Sequence, residues 1–196
     1  ATYTSDVADA LRRRYPAMEL EHYAMDDGWG IRYLDHITTI DAEKPTAYRE
    51  SAELIEASGA EAIWLQHEFG IFGGVPGCDI LELISATSLP LIVTLHTVLE
   101  EPSAEQEAVL TRLIARAERT IVMATTGAEI LKRRYGVSPG RISVIPHGVP
   151  DRAQRDPDEL KPQFGWQGRK VLMTFGLITP DKGISRMIEA MPAIVK

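Results

Sequence analysis

Cysteine is almost absent: the 196 residues hold one, Cys78. One thiol builds neither an internal disulfide framework nor a multi-cysteine zinc site. A single cysteine fits a reducing cytoplasm, and a cytoplasmic location is the expectation. Long apolar runs are missing as well; none approaches the roughly 20 residues that span a bilayer. The chain does not open on a basic stretch followed by an apolar one, so no signal peptide is read. Peripheral contact with the inner face of a membrane stays open. Basic charge is in deficit, with 21 Lys plus Arg against 28 Asp plus Glu and a formal net charge of -7. That balance repels an extended polyanion such as DNA, although a local basic pocket can still hold one phosphate.

Several motifs are lacking. There is no G-x-G-x-x-G for a dinucleotide and no G-x-x-x-x-G-K-[ST] for a P-loop. A metal hydrolase could draw on His67, Glu68, His96 and His147, but no H-E-x-x-H spacing exists and no carboxylates cluster near these histidines. No metal site is expected. Internal repeats and low-complexity tracts are also absent.

What is present is a globular composition, 44% hydrophobic and 25% charged, long enough to bury a core. Four short apolar runs lie at 62–65, 91–95, 120–123 and 142–145, each bounded by loop residues. Short, β-branched, nearly continuous runs read as strands buried on both faces of a parallel sheet. A weaker strand is read near 19–24. Helical patterns separate the runs. Thr4 or Ser5 is placed as N-cap of a first helix carrying Val7, Leu11 and Tyr15, with Pro16 as its stop. Further helices are read over 48–57, around Ile80, Leu81 and Ile84, and from Ser103. Ser103 with Gln106, and Thr126 with Glu129, have the spacing of capping boxes. Gly136 sits where a helix-ending glycine belongs. Trp64 is read as core, and Cys78 as the start of a helix. The expected fold is α/β, a Rossmann-like parallel sheet with helices on both faces. An ordinary domain of this kind opens on a strand, and the natural start is expected to lie before Ala1.

Residues 146–163 hold four prolines among charges and read as a domain edge. A fresh strand is read at 170–175, followed by a loop from Gly176 to Gly183 and a helix from Ile184. The expected division is an N-terminal domain over 1–150, a linker over 151–168, and the opening of a second Rossmann-like domain over 169–196.

Ligands of open parallel sheets bind at the carboxyl ends of the strands. After 62–65 come Gln66, His67, Glu68 and three glycines, Gly70, Gly73 and Gly74. Glycines let a backbone approach a ligand and turn N–H groups toward oxygens; a tight turn with a capping carboxylate uses the same residues. After 91–95 comes His96, suited to a substrate hydroxyl or a developing charge, or to a neighbouring carbonyl. His147 after 142–145 reads as part of a hinge turn. Gly176, Lys182 and Gly183 precede a helix, where backbone N–H groups and one full positive charge suit a diphosphate.

Five stretches then fall into one order: ATYTSD at 1–6, QHEFGIFGG at 66–74, TLHTV at 94–98, IPHGVPD at 145–151 and FGLITPDKG at 175–183. In that order the chain resembles the retaining glycosyltransferases of family 4, nearest the mannosyltransferase-like branch. The resemblance implies the GT-B fold, two facing Rossmann-like domains with the acceptor on the N-terminal one and a sugar nucleotide on the other. It implies transfer of a hexose, mannose in that branch, from a GDP- or UDP-sugar to a glycan, lipid or small acceptor. Anomeric configuration would be retained, with no metal and no cofactor beyond the donor. His96 matches the histidine near the transferred sugar, and Lys182 the lysine at the donor diphosphate, in a loop with Gly176 and Gly183. His67, Glu68, Gly73 and Gly74 match a loop facing the cleft, as acceptor or sugar contacts.

Three departures accompany the likeness. The glycine-containing loop after the family's first strand would precede Ala1. Gly176-Leu177 stands where many members have Gly-Arg. The downstream acidic motif that grips sugar and ribose lies beyond Lys196, so a molecule ending there is expected to be inactive. A nucleotide-sugar epimerase and a non-catalytic carbohydrate-binding or interaction domain are the alternatives on the same scaffold.

Overall fold

The computed structural model describes residues 2–28, 30, 33–149, 153–176, 178 and 182–195. It divides into two compact units, Ala1–Pro150 and Asp151–Lys196. The first unit runs α1 (Thr2–Arg14), β1 (His22–Asp26), β2 (Ile37–Asp41), α2 (Pro45–Ser58), β3 (Ile63–His67), α3 (Ile80–Ser85), β4 (Leu91–Leu95), α4 (Ala104–Arg116), β5 (Arg119–Val122), α5 (Thr125–Tyr135) and β6 (Ile142–Val144). Strands β3 to β6 form one parallel sheet in chain order, and β1 pairs with β2, also in parallel. Parallel neighbours need long crossovers; helices supply them from β3 to β6, whereas residues 27–36 join β1 to β2 with no helix among the described residues. This is the expected α/β architecture of parallel strands flanked by helices.

The core lies along β4. Leu91, Val93, Thr94 and Leu95 are buried, so the strand is covered on both faces, as its unbroken apolar run foretells. Val109, Leu110, Leu113 and Ile114 of α4 and Ile80, Leu81, Leu83 and Ile84 of α3 join it. Helix α4 has the predicted capping box: Ser103 Oγ accepts from the Gln106 N–H, and Gln106 Oε1 accepts from the Ser103 N–H. Arg141 reaches the far end of α4 and donates to the carbonyls of Ile114 and Ala117.

Several local expectations are corrected. Thr4 and Ser5 lie inside α1, which begins at Thr2. The N-cap of α5 is Ala124, with no side-chain cap; Thr126 falls in the first turn, and Glu129 pairs with Lys132 instead. Helix α3 starts at Ile80 with Asp79 as its N-cap, two residues after Cys78. Trp64 is 37% exposed, because β3 is an edge strand of its sheet. Its indole N–H donates across to the buried Thr94 Oγ1 at 2.8 Å, so one end is anchored while the ring meets solvent. Strand β2 was not foreseen, since only Ile40 of its five residues is buried.

The second unit holds α6 (Pro157–Leu160), a 3₁₀ turn (Lys161–Phe164) and α7 (Ile184–Ile194). The segment read as a linker therefore contains helical turns, with Phe164 stacked on Trp166 at 4.8 Å. Residues 170–175 are not a strand. A lone extended segment has no partner for its backbone groups, and Leu172, Met173 and Phe175 remain exposed. No described residue of this unit is buried. Among the described residues of the whole chain, no helix is long and apolar enough to cross a membrane.

Candidate functional site

Because β3 to β6 are parallel, their carboxyl ends share one edge of the sheet. The register fixes what meets there: His67 lies opposite Leu95, and Leu95 opposite Val122. The His96 N–H donates to the His67 carbonyl at 2.9 Å and extends the ladder one step past β4. Two loops are thereby held side by side, one opening with Glu68 and the other with His96.

Each side chain has a distinct environment. His67 is fully buried, its ring perpendicular to Phe69 at 5.0 Å and stacked on Phe72 at 5.8 Å. Neither ring nitrogen has a hydrogen-bond partner. Burial pushes its pKa down to about 4, with the nearby His96 adding to the effect, so the ring is neutral near pH 7. Glu68 accepts from Thr97 Oγ1 at 2.9 Å through one oxygen and from the Phe69 N–H at 3.1 Å through the other. His96 is half-buried, and Nε2 stands 3.1 Å from Gln66 Oε1 on β3. Burial lowers the His96 pKa; Glu68 opposes that shift and His147 reinforces it.

The glycine loop is held from below. The Gly73 N–H donates to Tyr48 Oη at 2.8 Å, and that buried hydroxyl donates to the Ala42 carbonyl at 3.3 Å. A Cβ at Gly73 would lie 1.9 Å from the Ala42 oxygen, so only glycine fits between β2 and the loop. At Gly74, with φ +73°, a Cβ would meet Cys78 Sγ at 2.6 Å. Both glycines thus allow close approach of the protein to itself.

Two residues with no role assigned from sequence enter the site. Tyr3 of α1 stands perpendicular to the His96 ring at 5.0 Å and tilted against His147 at 4.9 Å. Gln66 is the second. Both lie within stretches that carry the resemblance, yet their partners are about 30 or more positions away, beyond the reach of local pattern. His147, read as a hinge residue, is exposed but joins this ring cluster.

A hollow of about 220 Å³ borders His96, lined also by Val98, Met123, Thr126 and Gly127 at the start of α5. A second, of about 310 Å³, lies between α4 and the end of α5. Its two arginines are occupied, Arg134 by Glu107 and Arg141 by backbone carbonyls. Among the described residues, no three His, Cys, Asp or Glu side chains are grouped to hold a metal ion.

In the second unit, Gly183 has φ +65° and is the N-cap of α7, with the exposed Lys182 just before it. Gly176 is described as well. Leu177 and residues 179–181 of that loop lie outside the described residues, as do Ala1, Pro150 and Asp151 of the other matching stretches.

The family model of glycosyltransferase family 4 matches residues 1–152. No curated protein matches the chain.

Proposed function

Because this chain belongs to glycosyltransferase family 4, we propose that it serves transfer of a hexose from a nucleotide sugar to a carbohydrate, lipid or small hydroxylic acceptor. The donor is a GDP- or UDP-sugar, mannose is the favoured hexose, and configuration is retained. The carrying observation is the side-by-side placement of Glu68 and His96 at the sheet edge, within the matched region.

His96 is assigned to a hydroxyl of the transferred sugar. Glu68 is assigned to the acceptor, as the charged group of its loop. His67, sealed under Phe69 and Phe72, shapes that loop and is itself uncharged near pH 7. Gly73 and Gly74 hold the loop in place. Lys182, Gly176 and Gly183 are assigned to the donor diphosphate, whose charge grows as the sugar departs. Fixed cationic and N–H donors stabilise that charge without reorganising. A cytoplasmic location, where nucleotide sugars are available, is part of the same proposal.

The test is nucleotide release from GDP- and UDP-hexoses by the protein carrying this chain, with and without candidate acceptors. His96→Ala is expected to lower turnover by about 100-fold. Lys182→Ala is expected to weaken donor binding roughly tenfold, the loss of one charge-assisted contact. Turnover unchanged in His96→Ala, or donor affinity unchanged in Lys182→Ala, removes the corresponding assignment.

A further inference from the structure

The His96 ring is fixed by an amide, although a carboxylate lies close by. Gln66 lies on β3 and His96 one residue past the end of the adjacent parallel β4, and their side chains point to the same side, because Gln66 is opposite Thr94 and side chains repeat every two residues. The Gln66 side-chain carbonyl then faces His96 Nε2 at 3.1 Å. An amide oxygen only accepts, so with the Gln66 amide in this orientation Nε2 is the atom that carries the proton and Nδ1 keeps its lone pair. The Glu68 carboxylate is engaged by Thr97 and the Phe69 N–H. Tyr3, packed perpendicular to the ring, limits its rotation.

We propose that Gln66 is a positioning residue that holds His96 in the Nε2-protonated tautomer, leaving Nδ1 to accept a hydrogen bond from a ligand hydroxyl. The inference rests on the sugar-hydroxyl role given to His96 above. It adds a direction: the ligand donates and the protein accepts. A carboxylate at position 66 would instead favour the imidazolium, which has two donors and no acceptor. The groups that set this balance are Glu68 from the loop after β3, His67 at the end of β3, Tyr3 from α1 and His147 after β6.

The decisive measurement is the ring ¹⁵N spectrum of His96 across pH, on the 196-residue chain and its variants. It needs neither substrate nor turnover, so it fails or succeeds independently of the transferase reading. The wild type is expected to show protonated Nε2 and bare Nδ1 at neutral pH. Gln66→Met is expected to mix the tautomers. Gln66→Glu is expected to raise the His96 pKa by about one unit, as an opposite charge at hydrogen-bonding distance does. In turnover, Gln66→Glu should lose activity on the acid side first, and Gln66→Asn should restore part of what Gln66→Met loses. A wild-type spectrum with the proton on Nδ1 overturns the proposal. So does an unchanged tautomer in Gln66→Met or an unchanged pKa in Gln66→Glu. Should Gln66→Met fail to fold, the wild-type spectrum and Gln66→Glu still decide.

Discussion

A fully buried histidine with two unpaired nitrogens is costly, and His67 shows where that cost falls. The unfolded ring titrates near 6.5, whereas the folded ring resists protonation down to about 4. Between those values the unfolded chain binds the proton and the folded one does not, so stability falls as pH falls through that window. The full difference is about 3 kcal/mol, and above pH 6.5 none of it is lost. Urea titrations should therefore show a pH slope in the parent that is absent in His67→Leu. At pH 7 the variant should be as stable as the parent or more so, because an apolar side chain replaces unsatisfied polar atoms. The same slope in both proteins would mean that His67 is solvated in solution. The histidines, Glu68 and the glycines were legible as strand-tip residues. Their environments were not, because burial and ring contacts depend on Phe69, Phe72, Tyr3 and Gln66 meeting in space. A carboxylate next to a histidine in sequence invites pairing the two, yet Glu68 turns to Thr97, His67 stays unpaired, and the amide of Gln66 meets His96 instead.

Elements were legible where a pattern could be satisfied locally. Strand β4 reads directly from its run because both faces are covered. Helix α4 reads from its capping box because cap and first turn are adjacent in sequence. Removing the cap in Ser103→Ala should cost about 1 kcal/mol, read as a lower urea midpoint with an unchanged slope. Helix α5 ends at Gly136 with φ +63° and open space around the missing Cβ. Gly136→Ala should therefore cost about 1–2 kcal/mol through backbone strain alone, and Gly136→Asn should cost less. At Gly73 the reason is crowding: Gly73→Ala drives a methyl into the Ala42 carbonyl and should cost about 3 kcal/mol. A weak pattern hid β2, whose exposed threonines give no apolar alternation. A strong one misled at 170–175, where the β-like residues pair with no strand among the described residues. Propensity proposes a strand, but only a partner completes its hydrogen bonds.

The two units differ in what holds them together. The first has a continuous apolar core running through α2, α3, β4, α4 and α5. In the second, no described residue is buried, and Leu172, Met173, Phe175 and Ile188 are exposed. Burial is the main favourable term in folding, so the expected outcome is that the described residues of the second unit add little cooperative stability to the first. Local opening free energy then ranges from near zero to the global value along one chain. Hydrogen exchange of this chain should show slow amides in β4, β5 and α4, exchanging only with global unfolding. The described amides of residues 153–195 should exchange fast, including those of α7, whose helical hydrogen bonds are open to water. Addition of a GDP- or UDP-hexose should slow exchange after Gly183 if the diphosphate orders that helix start. Slow exchange throughout α7 without any donor would show that the second unit has a stabilising partner surface of its own, and would refute that expectation.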